Sequence, residues 1–158
     1  MAEEPLQPDL SELNDYRAWL EDGADLFTYA SIKLTPDLAI ASTKLFWPDF
    51  VVYRDCIFRD RVMSDKSKAI ADNWIAQLKG DLTAVERVMN HVHIGEDLMI
   101  YPFENLSYAN VAYFGQMLVK MWGAALRDQF PNRPCIVEGD RAEGVDDYII
   151  TFYQKRSS

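Results

Sequence analysis

The sequence predicts an α+β fold: a single domain of about five helices packed on a small antiparallel sheet made of two hairpins. Three observations predict it. Apolar residues recur at helical spacing behind residues that cap helices. Two pairs of aromatic and β-branched runs read as strands. The strands come in neighbouring pairs, not singly between helices, which excludes the βαβ order of a parallel sheet.

Residues 1–8, with Pro5 and Pro8, read as a flexible N-terminal tail, and 9–158 as the globular domain. A first helix follows, capped by Asp9 or Ser11, with Leu13, Tyr16, Trp19 and Leu20 on one face. Asp22-Gly23 breaks it. Ala24–Leu34 resumes as helix, with Leu26, Phe27, Ala30 and Leu34 together. Thr35-Pro36-Asp37 supplies a capping hydroxyl, a proline at the first helical position and an acid at the positive helix end. That helix runs to about Phe46, and Pro48 closes it.

Phe50–Tyr53 and Cys56–Phe58 form the first hairpin around Arg54-Asp55. Ser64 caps a helix over Asp65–Lys79 whose buried stripe is Ile70, Trp74, Ile75 and Leu78, with Gly80 as its stop. Thr83-Ala-Val-Glu86 matches a capping box and opens the next helix. Asp97–Phe103 is irregular or a short strand, broken by Pro102. Asn105 or Ser107 caps the longest helix, which ends near Gln129. Pro131 and Pro134 then force extension, and Cys135–Val137 pairs with Tyr148–Tyr153 across an acidic loop. The two hairpins are expected to join in one four-stranded sheet.

His91 and His93, the only histidines, lie two residues apart. On a strand, positions i and i+2 share a face; on a helix they diverge by roughly 200°. Val85, Val88, Met89 and Val92 follow helical spacing, and Gly95 suits a left-handed stop. The helix reading makes the two rings diverge, so no metal site and no cofactor are expected. On the same helix Glu86, Asn90, His93 and Asp97 would form one polar stripe. That makes His93, His91, Glu86 and Asp97 the candidate catalytic groups, with a histidine beside a carboxylate as acid–base pair.

The chain has 158 residues, 49% hydrophobic and 26% charged, enough for one core without a disulfide or metal. Its net charge of −9 argues against nucleic acid and against an anionic membrane surface. Residues 1–37 hold nine acids against Arg17 and Lys33. The most apolar stretch, Val111–Leu126, is too short to span a bilayer. The opening Met-Ala-Glu-Glu-Pro lacks an export signal, so a cytoplasmic location is expected, with Cys56 and Cys135 reduced, buried and inert. The acidic loop Glu138–Asp147 lacks the order of a calcium-binding EF-hand. Walker, dinucleotide-binding, nucleophile-elbow and zinc-protease motifs are absent.

Most of the four Trp, eight Tyr and eight Phe are expected in the core, but a surplus this size also fits an aromatic-lined cleft or a protein interface. Trp47, Phe50 and Tyr53, in the densest aromatic run, are the candidate binding residues. Acidity, aromatic surplus and missing catalytic signatures favour a small protein-interaction module, of inhibitor or immunity type, that binds a basic partner. The alternative is a small enzyme or ligand-binding domain using His93 and His91 with nearby carboxylates. A homodimer built on Phe46–Tyr53 or the long helix is a third reading.

Overall fold

Side-chain caps start most of the helices. The computed structural model describes residues 4, 6–20, 23–60, 63–98 and 106–157. Asp9 accepts from the Ser11 N–H at 2.9 Å and opens a 3-10 turn, Leu10–Glu12, followed by α1 (Asn14–Trp19). Asp25 caps α2 (Leu26–Lys33) and Thr35 caps α3 (Pro36–Phe46). The predicted first helix is thus shorter than its apolar spacing implied. The Asp22 half of the predicted break lies outside the described residues.

β1 (Phe50–Tyr53) and β2 (Cys56–Arg59) form the predicted hairpin, with Tyr53 opposite Cys56. Arg54 and Asp55 turn it at φ 50° and 63°, without glycine. Two positive φ angles match the twist of a two-residue hairpin, at a steric cost to L-residues. Tertiary bonds hold the turn: the Asp55 carbonyl accepts from Gln154 Nε2 at 2.7 Å and Arg156 Nη2 at 2.9 Å.

Ser64 caps α4 (Asp65–Gln77), and Gly80, at φ 81°, supplies the expected stop. Its predicted stripe is displaced: Ala71 is buried, Trp74, Ile75 and Leu78 are packed, but Ile70 is exposed. α5 spans Leu82–Met89 and departs from expectation at both ends. Asp81, not Thr83, caps it, accepting from the Ala84 N–H at 3.0 Å. Glu86 does not fold back to complete a capping box, because its carboxylate is enclosed in the protein. The helix stops at Met89 instead of continuing to Gly95. Asn90 Nδ2 donates to the Ile57 carbonyl at 2.9 Å and the Phe152 carbonyl at 3.1 Å, which draws the chain out of helix and into a sheet.

Val92–His93 is accordingly strand β3, followed by a π-helical turn over Ile94–Leu98. Gly95 is no left-handed stop. Its N–H donates to Asp147 Oδ1 at 2.8 Å, and an added Cβ would press on that carboxylate at 3.2 Å. The predicted Asp97–Phe103 segment beyond Leu98 and the Asn105 cap lie outside the described residues.

α6 (Tyr108–Gln129) is the longest helix. Ser107 sits at its start but makes no side-chain cap. Glu12 substitutes: its Oε2 accepts from the Ser107 N–H at 3.0 Å, Ser107 Oγ at 2.9 Å and Asn110 Nδ2 at 2.8 Å. The N-terminal segment is thereby tied to α6. β4 (Cys135–Arg141) and β5 (Tyr148–Gln154) pair over seven residues each, further into the acidic stretch than predicted.

The expected four-stranded sheet is two sheets. One is β1–β2; the other has the order β3–β5–β4, all antiparallel. They stay separate because side chains of α5 and of Asn90, just past its end, occupy the seam. Glu86 accepts from the Ile57 N–H of β2 and the Gln154 N–H of β5, at 2.7 and 2.8 Å, while Asn90 donates to carbonyls on both. Two residues one helical turn apart thus replace a stretch of strand pairing.

β2 is buried along its whole length and divides the apolar interior. Ile57 joins Phe50, Val92, Ile94, Leu118, Trp122, Ile150 and Phe152 on the α6 side. Cys56 and Phe58 join Ala71 and Val85 beneath α4 and α5.

Candidate functional site

The strand at Val92–His93 brings the two histidines together. Val92 faces Ile150 and His93 faces Ile149, so the side chains at 91 and 93 emerge on one side. His91 Nε2 and His93 Nε2 are 3.1 Å apart. His91 is exposed and His93 half-buried. The divergence expected from a helix is overturned, since the segment is strand.

Asp147 stands behind His93. Its Oδ1 accepts from the N–H groups of Gly95 and Tyr148, each at 2.8 Å, which fixes the carboxylate. Its Oδ2 lies 3.5 Å from His93 Nδ1, a buried nitrogen with no hydrogen bond. Asp97, a predicted site residue, accepts the His93 backbone N–H at 2.7 Å and so holds the strand. Glu86 is separate from the histidines. The polar stripe joining Glu86 to His93 does not form, because the helix carrying it ends between them.

A cleft of about 530 Å³ opens beside His91, walled by Glu138, Asp140, Arg141, Glu143, Ile149 and Thr151. One wall is braced: Arg87 pairs with Glu138 at 2.9 Å, and the Tyr153 hydroxyl donates to the same carboxylate at 3.1 Å. The Arg87 guanidinium also stacks 3.8 Å from the Tyr153 ring centre. Among the described residues, no three His, Cys, Asp or Glu side chains converge closely enough to hold a metal ion together.

The candidate aromatic residues scatter. Trp47 is exposed. Phe50 is core, edge-on to Phe152 at 5.2 Å. Tyr53 is half-buried and donates its hydroxyl to Asp72 at 2.9 Å. They form no single surface. Trp122 of α6 is buried, and its Nε1 donates to the Leu45 carbonyl at 2.9 Å.

Among the described residues, the most exposed large apolar side chains are on α2 and α3. No side chain of these helices of 8 and 11 residues is fully buried, although Phe46 at the end of α3 packs on the core and Tyr29 of α2 on Tyr16. Phe27 is 81% exposed, Ile40 72%, Ile32 61% and Leu38 53%. Of the face predicted for Ala24–Leu34, Phe27, Ala30 and Leu34 are therefore exposed, and Leu26 is half-buried. Single exposed apolar residues are ordinary; four large ones more than half exposed on two consecutive helices are not.

Both cysteines are free thiols. Burial, and then the negative charge of Glu86, pushes each pKa up to about 11, so neither is a ready nucleophile. Asp147, Gln154 and Arg156 escaped sequence reasoning. Asp147 was visible only as one acid among five in a loop, and the other two only as polar residues near the chain end. No helix among the described residues is long and apolar enough to cross a membrane. No family model, curated protein or solved structure matches the chain.

Proposed function

We propose that the protein is an interaction module whose α2–α3 arm binds a partner protein presenting basic side chains around an apolar anchor, as an inhibitor or immunity-type protein does. The observation that carries this reading is the arm itself: α2 and α3 expose Phe27, Ile32, Leu38 and Ile40 and hold no fully buried residue, with half-buried Phe46 anchoring the end of α3 on the core. Exposed apolar surface of this kind costs free energy in water and is relieved when a partner covers it.

Charge selects the partner. Nine of the acids fall in residues 1–37, against two basic residues, and the chain as a whole carries −9. A basic partner is steered toward this end, while the apolar side chains supply the contact once it arrives. Trp47, exposed just beyond the end of α3, continues the same apolar segment and supports the reading.

The test is affinity capture on the immobilised full chain at low and high salt, beside a Phe27→Ser/Ile40→Ser variant. A basic protein held at low salt, released at high salt and lost by the variant is expected. Capture that the variant leaves unchanged overturns the reading. So does concentration-dependent dimerisation of the wild type that the variant abolishes, since the arm would then serve a second copy.

A further inference from the structure

We propose that His91 and His93 form a two-histidine chelate for a late first-row divalent metal ion such as Zn²⁺ or Ni²⁺. This is independent of the partner surface on α2 and α3.

The distance between the ring nitrogens is the first ground. Metal–nitrogen bonds of about 2.0–2.1 Å at a tetrahedral angle place two ligand nitrogens roughly 3.3 Å apart. A square-planar arrangement brings them to roughly 2.9 Å. The observed Nε2–Nε2 separation of 3.1 Å lies between these values. Both rings project from one face of a short extended segment, and β5 pins His93 through the His93–Ile149 pair.

The second ground is the surroundings of His93. A ligating histidine needs its free nitrogen lone pair aimed at the metal, so the proton must sit on the other nitrogen, where a carboxylate commonly steadies it. Asp147 occupies that place. Its Oδ2 faces the buried Nδ1 at 3.5 Å, and its Oδ1 is anchored by two backbone N–H groups. This favours the tautomer with Nδ1–H and leaves Nε2 open toward His91.

The third is the field of the adjoining cleft. Glu138, Asp140 and Glu143 line it beside His91, against Arg141. Arg141 pairs with Asp146, and Glu138 with Arg87. The remaining acids raise the local cation concentration. Because no third protein donor joins the pair among the described residues, the other coordination positions fall to water or to an oxygen or nitrogen donor on a ligand. Imidazole donors select zinc, nickel or copper over magnesium and calcium, which require oxygen.

Isothermal titration of Zn²⁺, Ni²⁺, Mg²⁺ and Ca²⁺ into the untagged full chain at neutral pH tests the proposal. One Zn²⁺ or Ni²⁺ per chain is expected, with no heat from Mg²⁺ or Ca²⁺. His91→Ala and His93→Ala should each weaken binding at least about tenfold, and Asp147→Asn by about 10–100-fold, the usual effect of losing an outer partner. His91 is exposed, so its variant folds and keeps the test decisive if Asp147→Asn does not. Nitrogen NMR should show both Nε2 resonances shifting on Zn²⁺ addition. The chelate is overturned if Zn²⁺ and Ni²⁺ give no binding, if His91→Ala binds them as the wild type does, or if Ca²⁺ binds equally well. A spectrum in which one ring stays Nε2-protonated in excess Zn²⁺ likewise overturns it, leaving a plain hydrogen bond between the rings.

Discussion

The Glu86 carboxylate meets the Arg156 guanidinium at 2.7 Å, with Glu86 fully enclosed and Arg156 partly open to water. Both oxygens of Glu86 are saturated. Oε1 accepts from the Ile57 N–H and Gln154 Nε2, and Oε2 from the Gln154 N–H and Arg156 Nη1, all at 2.7–2.8 Å. Burial alone would lower the Arg156 pKa; its bond to Glu86 and the Glu86 charge outweigh that and leave it raised. One carboxylate thus joins β2, β5 and the C-terminal residues.

Removing Glu86 should therefore unfasten both sheets. It would strip acceptors from two buried strand N–H groups and remove the carboxylate that pairs with Arg156, leaving that guanidinium only its bonds to the Asp55 carbonyl and Thr83. Glu86→Ala is expected to cost about 3–5 kcal/mol, the range for breaking a buried ion pair from one side. Arg156→Ala should cost less, because Glu86 retains three N–H donors and Arg156 is partly solvated. Urea unfolding midpoints give the order, and a larger loss in Arg156→Ala would contradict it.

Tyr148 lies across two glycines. A Cβ on Gly115 of α6 would fall 2.8 Å from its Cε1, and one on Gly139 of β4 would fall 2.7 Å from its Cζ. The buried ring fills the space left by the two absent side chains. Gly115→Ala gains helix propensity but overpacks this contact, which costs about 1–3 kcal/mol. At about 2–4 °C per kcal/mol for a chain of this size, thermal unfolding should fall measurably. In the Tyr148→Ala background the same change should be neutral or stabilising, so a double-mutant cycle isolates the clash.

The two thiols give the fold an alkaline limit. Burial raises the Cys56 and Cys135 pKa to about 11 in the folded protein, above the 9.0 of a solvated thiol. The folded state therefore disfavours the thiolate. Stability from these groups is complete below pH 9 and is lost as pH rises through about 11. Tyr148 and Tyr153, also raised by burial, act in the same direction. Unfolding measured across this window should show the wild type losing stability more steeply than Cys56→Ala/Cys135→Ala. Equal slopes would show that the thiols titrate alike in both states.

Local chemistry was legible in the sequence. Thr35 and Ser64 cap helices because a hydroxyl at that position satisfies a free N–H whatever lies beyond it. Gly80 stops α4, and two aromatic and β-branched pairs form hairpins, for equally local reasons. The order of elements then excluded a parallel sheet. Where two local signals competed, the sequence misled. Helical spacing from Val85 to Val92 and a Thr83–Glu86 box pointed to one long helix through the histidines. Spacing does not record that Glu86 and Asn90 have better partners in Ile57, Phe152 and Gln154, residues 29 to 68 positions away.

Those long-range bonds end α5 at Met89, turn Val92–His93 into a strand and set the two imidazoles 3.1 Å apart. Burial was decided at the same level. Phe50 and Phe27 are alike in composition and both sit in apolar patterns, yet one is core and the other 81% exposed. The sequence by itself determined which segments turn, cap and extend, because those choices are settled within a few residues. The tertiary structure alone decided which polar groups meet and which apolar faces stay open. Both depend on distant parts of the chain competing for the same hydrogen-bonding groups and the same interior.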